Sequence, residues 1–117
     1  NVVLRNVRKY GEVSRMIMVG GLAKGKAVRQ IFADVMNVEI VMLEHMDDLT
    51  SMGAAVFGGI ALGCFEDYYA IRKFHKIIDV RKPNPETRSV YKKMEDLYDK
   101  MYFAQEPLFE DWAALSE

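Results

Sequence analysis

The chain has 117 residues, half of them hydrophobic and 28% charged, with a formal net charge of −1. Those values suit one soluble globular domain and exclude disordered, collagenous and fibrous classes. A single cysteine, Cys64, excludes a disulfide framework, and with only His45 and His75 beside it there is no zinc-ligand spacing.

Charge is uneven along the chain. Residues 1 to 30 carry Arg5, Arg8, Lys9, Arg15, Lys24, Lys26 and Arg29 against Glu12 alone, whereas the remainder is acidic. A nucleic-acid surface would add aromatic side chains for stacking, and the first 30 residues contain only Tyr10. Lys24 and Lys26, set beside glycines, suit a phosphate-bearing small molecule better. Arg5, Arg8 and Lys9 read as a solvated face. The longest apolar run, Met52 to Phe65, is shorter than the roughly 20 residues a membrane span needs. It carries Gly53, Gly58, Gly59 and Gly63 and reads as a buried helix. No cleavable leader pattern is visible, so the expected location is cytoplasmic. A start at Asn1 rather than methionine suggests a piece of a longer gene product.

In chain order, Val3, Leu4 and Val7 fall at helical spacing before Gly11, predicting the tail of a helix. Ser14 to Val19 ends in a continuous apolar run too short for a helix, which predicts a buried strand. Val28, Ile31, Phe32 and Val35 then form one apolar stripe on a helix from Lys26 to about Asn37. Val38 to Leu43 reads as a second strand. Strand, glycine-rich turn, helix, strand is a βαβ unit with parallel strands, and such units take ligands at the carboxyl ends of the strands.

Asp47 or Asp48 is placed to cap a helix reaching about Leu62. The small residues of that helix predict close packing against its face. Another helix is expected at about 66 to 76, followed by a short strand from Ile77 to Val80. Asn84, between Pro83 and Pro85, starts a long helix to about Ala104. Its Val90, Met94, Leu97 and Met101, with Tyr91, Tyr98 and Tyr102 beside them, are expected to be core. Leu108 to Leu115, with Trp112, forms a short closing helix.

The turn Gly20-Gly21-Leu22-Ala23-Lys24-Gly25-Lys26-Ala27 is where chemistry is expected. Its glycines let a ligand approach the backbone, and the first N–H groups of the following helix favour an anion or a polar ring edge. Three readings stand side by side. One is a plain strand-to-helix turn whose glycines tolerate positive φ. Another is a degenerate P-loop, because Gly20 to Ala27 spells G-x-x-x-x-G-K-A, with Ala27 lacking the hydroxyl that would hold magnesium and Glu44 imitating the acidic metal partner.

The third rests on resemblance. Met18 to Lys24, then Arg29-Gln30, Ala33-Asp34-Val35, Leu49, Ser51 to Ala55 and the Pro85 to Tyr98 helix resemble the carboxyl-terminal part of the FGGY carbohydrate kinases. Xylulokinase, ribulokinase, gluconokinase and glycerol kinase belong to that family. Leu22 stands where many members have a third glycine. The resemblance implies an α/β fold, part of a ribonuclease-H-like domain of the actin and hexokinase type, in which a βαβ unit is followed by several helices. Residues 1–117 would form the adenosine-side half of the second kinase domain.

The resemblance further implies that Gly20, Gly21, Leu22 and Ala23 border the adenine and ribose of ATP, with Lys24 and Lys26 as weaker contacts. ATP and Mg²⁺ are the implied cofactors, and a sugar, most readily of the xylulose type, is the implied acceptor of the γ-phosphoryl group. No catalytic residue is expected in this chain, since the family's aspartate base, phosphate loops and sugar contacts lie upstream. The fragment alone is therefore expected to be inactive. The sheet should have two or three strands and an exposed edge, inviting another copy or the remaining chain. The alternative is a complete small binding module that recruits a partner through the long helix and Trp112.

Overall fold

In the computed structural model, which describes residues 1–115, Leu4 is the one buried residue of the first helix, α1 (Val2–Val7). Arg8, just beyond it, does not merely face solvent. Its Nη2 donates to the carbonyls of Met36 at 3.0 Å and Asn37 at 3.2 Å. A cation thus closes the carboxyl end of the next helix, α2 (Lys26–Met36), where carbonyls lack partners and the dipole is negative. Asn37 completes that end in the left-handed conformation, φ 52°.

Three strands form one sheet in the order β1 (Arg15–Ile17), β2 (Glu39–Leu43), β3 (Ile77–Arg81). β1 and β2 run parallel, with Met16 opposite Ile40, as a βαβ unit requires. β3 is antiparallel to β2, with Val41 opposite Val80 and a register shift at Met42/Leu43. The sheet is therefore mixed. Its central strand carries the core on both faces. Ile40 joins Leu4, Ala33 and Val38 in one cluster, and Val41 joins Leu43, Met46 and Ala23 in another.

Several expectations about burial are corrected. β1 is an edge strand rather than a buried one, and Ile17 is 56% exposed. On α2 the fully buried positions are Arg29, Ala33 and Asp34, while Ile31 of the apolar stripe is exposed. The helix is rotated because Ala33 is small enough to pack beside Ile40 of β2 and Arg29 finds polar partners in the Ala23 carbonyl and in Asp79 of β3.

The helix α3 (Leu49–Ala61) buries only Val56. A Cβ added at Gly53 or Gly58 would meet open space, so the small-residue face is not packed as expected. Gly59 alone is filled, since a Cβ there would lie 2.5 Å from the Phe65 ring. Asp48 occupies the N-cap of α3 without a side-chain hydrogen bond, and Asp47 pairs elsewhere. The helix expected at 66 to 76 is a 3₁₀ segment, Tyr68–Phe74, capped where Asp67 Oδ1 accepts from the Tyr69 N–H at 2.9 Å.

Residues 1–83 form one unit and a second begins at Asn84. In the second, Asn84 Oδ1 accepts from the Glu86 N–H at 3.0 Å, and Pro85 opens α4 (Pro85–Gln105). Arg88 and Glu95 pair along it at 2.7 Å. Tyr102 and Phe109 bring α4 together with α5 (Pro107–Ala114), their ring centroids 5.9 Å apart. The stripe expected to be core is not: α4 has no buried residue, and Val90, Met94, Leu97 and Met101 are all more than half exposed. No described helix is long and apolar enough to cross a membrane.

Candidate functional site

β1 delivers the chain to the glycine turn beside β2, where the Met18 N–H donates to the Val41 carbonyl at 3.0 Å. Gly20 then takes φ 87°, ψ −177°, a conformation essentially restricted to glycine. This bend starts a 3₁₀ turn, Gly21–Lys24. The Ala23 N–H donates to the Gly20 carbonyl at 3.0 Å and the Gly25 N–H to the Leu22 carbonyl at 3.2 Å. Gly25 is the N-cap of α2, and a Cβ on it would stand 3.1 Å from Val28 Cγ2. The bend at Gly20 and the close approach at Gly25 explain two of the glycines from within the chain. Gly21 is different, because its Cβ would meet nothing within 4 Å.

The turn has an inside and an outside. Ala23 is 0% exposed and sits in the cluster with Val41, Leu43 and Met46. Gly20, Gly21 and Lys24 are exposed, and Leu22 is 65% exposed. Ala23 therefore anchors the turn rather than presenting a surface. Lys24 Nζ pairs with Asp47 Oδ2 at 2.9 Å, both side chains being well exposed. Lys26, the first residue of α2, is exposed and makes no ion pair among the described residues. Met18, Val19, Gly21, Leu22, Phe32 and Met36 contribute to an open apolar depression of about 400 Å³ beside the turn. A flat heteroaromatic ring suits such a surface, with the turn's backbone groups at its edge.

Behind the turn lies a polar assembly that composition did not reveal. Arg29, 3% exposed, donates from Nη1 to the Ala23 carbonyl and from Nε to Asp79 Oδ2, the latter at 2.9 Å. Asp79 also accepts from Arg81 Nε at 2.8 Å. Gln30 Nε2 donates to Asp34 Oδ1 at 2.9 Å and to the Lys82 carbonyl at 2.8 Å. Each residue leaves a faint trace in the sequence, since Arg29 is one turn before Ala33 on α2 and Asp79 interrupts an apolar strand, but nothing local pairs the two.

The Arg81 hydrogen bond holds the Asp79 carboxyl below its ordinary value, against desolvation, which raises it, with Arg29 adding to the lowering. A carboxylate lowered on folding stabilises the fold above its unfolded pKa, and that contribution is lost as pH falls through the folded value. Thermal unfolding should therefore show a falling midpoint below about pH 4, less steep in Asp79→Asn. An identical pH profile in the variant would remove Asp79 from the acid response.

Among the described residues no group of three or more His, Cys, Asp or Glu side chains is placed to hold a metal ion. No magnesium ligand is assigned to this chain. The turn, by contrast, fits a nucleotide's ring through its exposed backbone and the neighbouring apolar floor.

The sequence pattern of the C-terminal domain of the FGGY family of carbohydrate kinases matches residues 4–62, half of the chain. The chain belongs to the FGGY family. The match begins on α1 and ends past α3, enclosing β1, the glycine turn, α2 and β2. A xylulose kinase of Staphylococcus epidermidis is 32% identical over 101 residues, covering 85% of this chain and 20% of that protein. An autoinducer-2 kinase of Salmonella paratyphi B is 28% identical over 98 residues, covering 83% of this chain and 18% of its own length. Among solved structures, a ligand-bound xylulose kinase and a gluconate kinase, both from Lactobacillus acidophilus, superpose with a TM-score of 0.72. Each is 31% identical, and the alignment covers 83% of this chain and 20% of the kinase. The chain thus spans about a fifth of the FGGY proteins it matches.

Proposed function

We propose that this chain is the carboxyl-terminal, nucleotide-side portion of a sugar kinase that transfers the γ-phosphoryl group of ATP to a sugar or polyol hydroxyl, with xylulose the first candidate. The observation that carries the proposal is the glycine turn. It is the part of the family match where backbone lies open on one side, beside an apolar floor, while Ala23 ties the other side to the core. In this reading the backbone of Gly20, Gly21 and Leu22 borders adenine and ribose, and Ala23 holds them in place. Lys26 reaches towards the phosphates more freely than Lys24, whose charge is satisfied by Asp47.

Phosphoryl transfer also requires positioned phosphates, a metal and a carboxylate near the attacking hydroxyl. Those belong to the portion of the FGGY proteins that this chain does not span. Magnesium would arrive with the ATP phosphates. Exposed apolar residues on β1, α3 and α4 support the same reading, since large apolar surfaces in a working protein are usually covered. A cytoplasmic site of action follows from the ATP and sugar phosphate chemistry.

The test is to read the coding sequence upstream of Asn1 and assay the extended protein for ADP release with xylulose, ribulose, gluconate and glycerol. Sugar-dependent ADP release by the extended protein, with none from residues 1–117 alone, is expected. Turnover by the isolated chain, or no sugar-dependent ADP release by the extended protein, overturns the proposal.

A further inference from the structure

We propose that Arg29 is a positioning residue for the nucleotide turn, setting ATP affinity from behind without touching the nucleotide. This rests on the reading that the turn borders adenosine. The outside of the turn has little to hold it: Gly20 and Gly21 have open space around them and Leu22 is mostly exposed. The inside is held by the buried methyl of Ala23 and by the Arg29 guanidinium on the Ala23 carbonyl.

The same guanidinium is fastened to β3 through Asp79, which Arg81 holds from a second direction. Gln30, the next residue on α2, is tied to the Lys82 carbonyl just beyond β3. The position of the turn is therefore referred to β3, a strand about 50 residues away in sequence, through one side chain. Two different atoms of a rigid planar fork, Nη1 and Nε, serve the two acceptors. A lysine ammonium is a single point on a flexible stem and cannot reproduce that span. Losing the tie frees the backbone that the adenosine must meet, and the ordering cost moves to the binding step.

The experiment uses the extended kinase with Arg29→Lys, Asp79→Asn and Gly21→Val. For Arg29→Lys the expected result is an ATP KM raised about tenfold, with the sugar KM and the kcat at saturating ATP within about twofold of the parent. Hydrogen exchange at the Ala23 and Gly25 amides should accelerate, while the β2 amides stay protected. Asp79→Asn should show the same pattern more weakly, because an amide oxygen still accepts from Arg29. Gly21→Val fills the open space on the nucleotide side and should raise the ATP KM by itself.

A raised ATP KM in Gly21→Val with an unchanged one in Arg29→Lys overturns the role of Arg29 and leaves the adenosine reading standing. An unchanged ATP KM in both overturns the adenosine reading and this proposal with it. If Arg29→Lys does not fold, Asp79→Ala, which removes the acceptor on β3, decides: unaltered exchange at Ala23 and Gly25 overturns the tie.

Discussion

With the turn bordering adenosine as proposed, Gly20→Val is expected to weaken ATP binding by the extended protein by roughly ten- to a hundredfold, from a conformational cost of about 1–3 kcal/mol. The cause is backbone geometry rather than lost contact. At φ 87°, ψ −177°, a β-branched residue is severely strained, although a Cβ would meet no neighbour in this chain. The chain would relax by moving φ to negative values, which swings the whole Gly21–Lys24 turn relative to β1. Ala23 would then leave its seat among Val41, Leu43 and Met46, so the unfolding midpoint should drop together with ATP affinity. The sugar KM should stay near its parent value. Tight ATP binding in a folded Gly20→Val protein would mean that the nucleotide does not depend on this turn.

Ile40→Ala is expected to cost about 2–5 kcal/mol of folding stability, the range for truncating a fully buried aliphatic side chain. Ile40 is 2% exposed at the centre of the sheet, and its cluster includes Leu4 from α1, Ala33 from α2 and Val38. Small domains hold roughly 5–15 kcal/mol in total, so one truncation removes a large share of it. In urea the midpoint should move down with an unchanged slope. Val90→Ala on α4 provides the contrast. Val90 is 55% exposed, and its truncation in the isolated chain should stay within about 0.5 kcal/mol. Equal losses at the two positions would mean that the α4 stripe is packed after all.

Much of the local structure was legible in the residues themselves. Alternation of glycine and apolar runs located β1, the turn, α2 and β2, because each is shaped by near neighbours: caps, helical spacing and the conformational freedom of Gly20. Asn84 and Pro85 marked the start of α4 for the same reason, and the hydrogen bond from the Glu86 N–H bears this out. The 3₁₀ segment at Tyr68–Phe74 was harder, since a seven-residue stretch offers too little periodicity to separate helix types.

The candidate site was legible as a place and not as an assembly. Gly20, Gly21 and Leu22 stood out through glycine chemistry and resemblance, whereas the support behind them did not. Arg29 was counted among the basic residues of the first segment, yet it is buried. Nothing local announces that Asp79, about 50 residues on, lies within hydrogen-bond reach. Lys24 illustrates the converse, since its partner Asp47 is one of two residues whose sequence position suggests a helix cap, and Asp48 is the one at the N-cap.

Sequence by itself determined the order of elements, the parallel pairing of β1 with β2, the position of the glycine turn and the family to which the whole belongs. Tertiary structure alone decided that β3 runs antiparallel, that α2 turns Arg29 inward, that β1 is an edge and that α4 carries its apolar stripe uncovered. The physical reason is that periodicity records which side chains share a face of a helix or strand. Whether that face meets a partner depends on elements distant in the chain: β1 packs Met16 on the core but leaves Ile17 exposed at the sheet edge, and the α4 stripe stays more than half exposed.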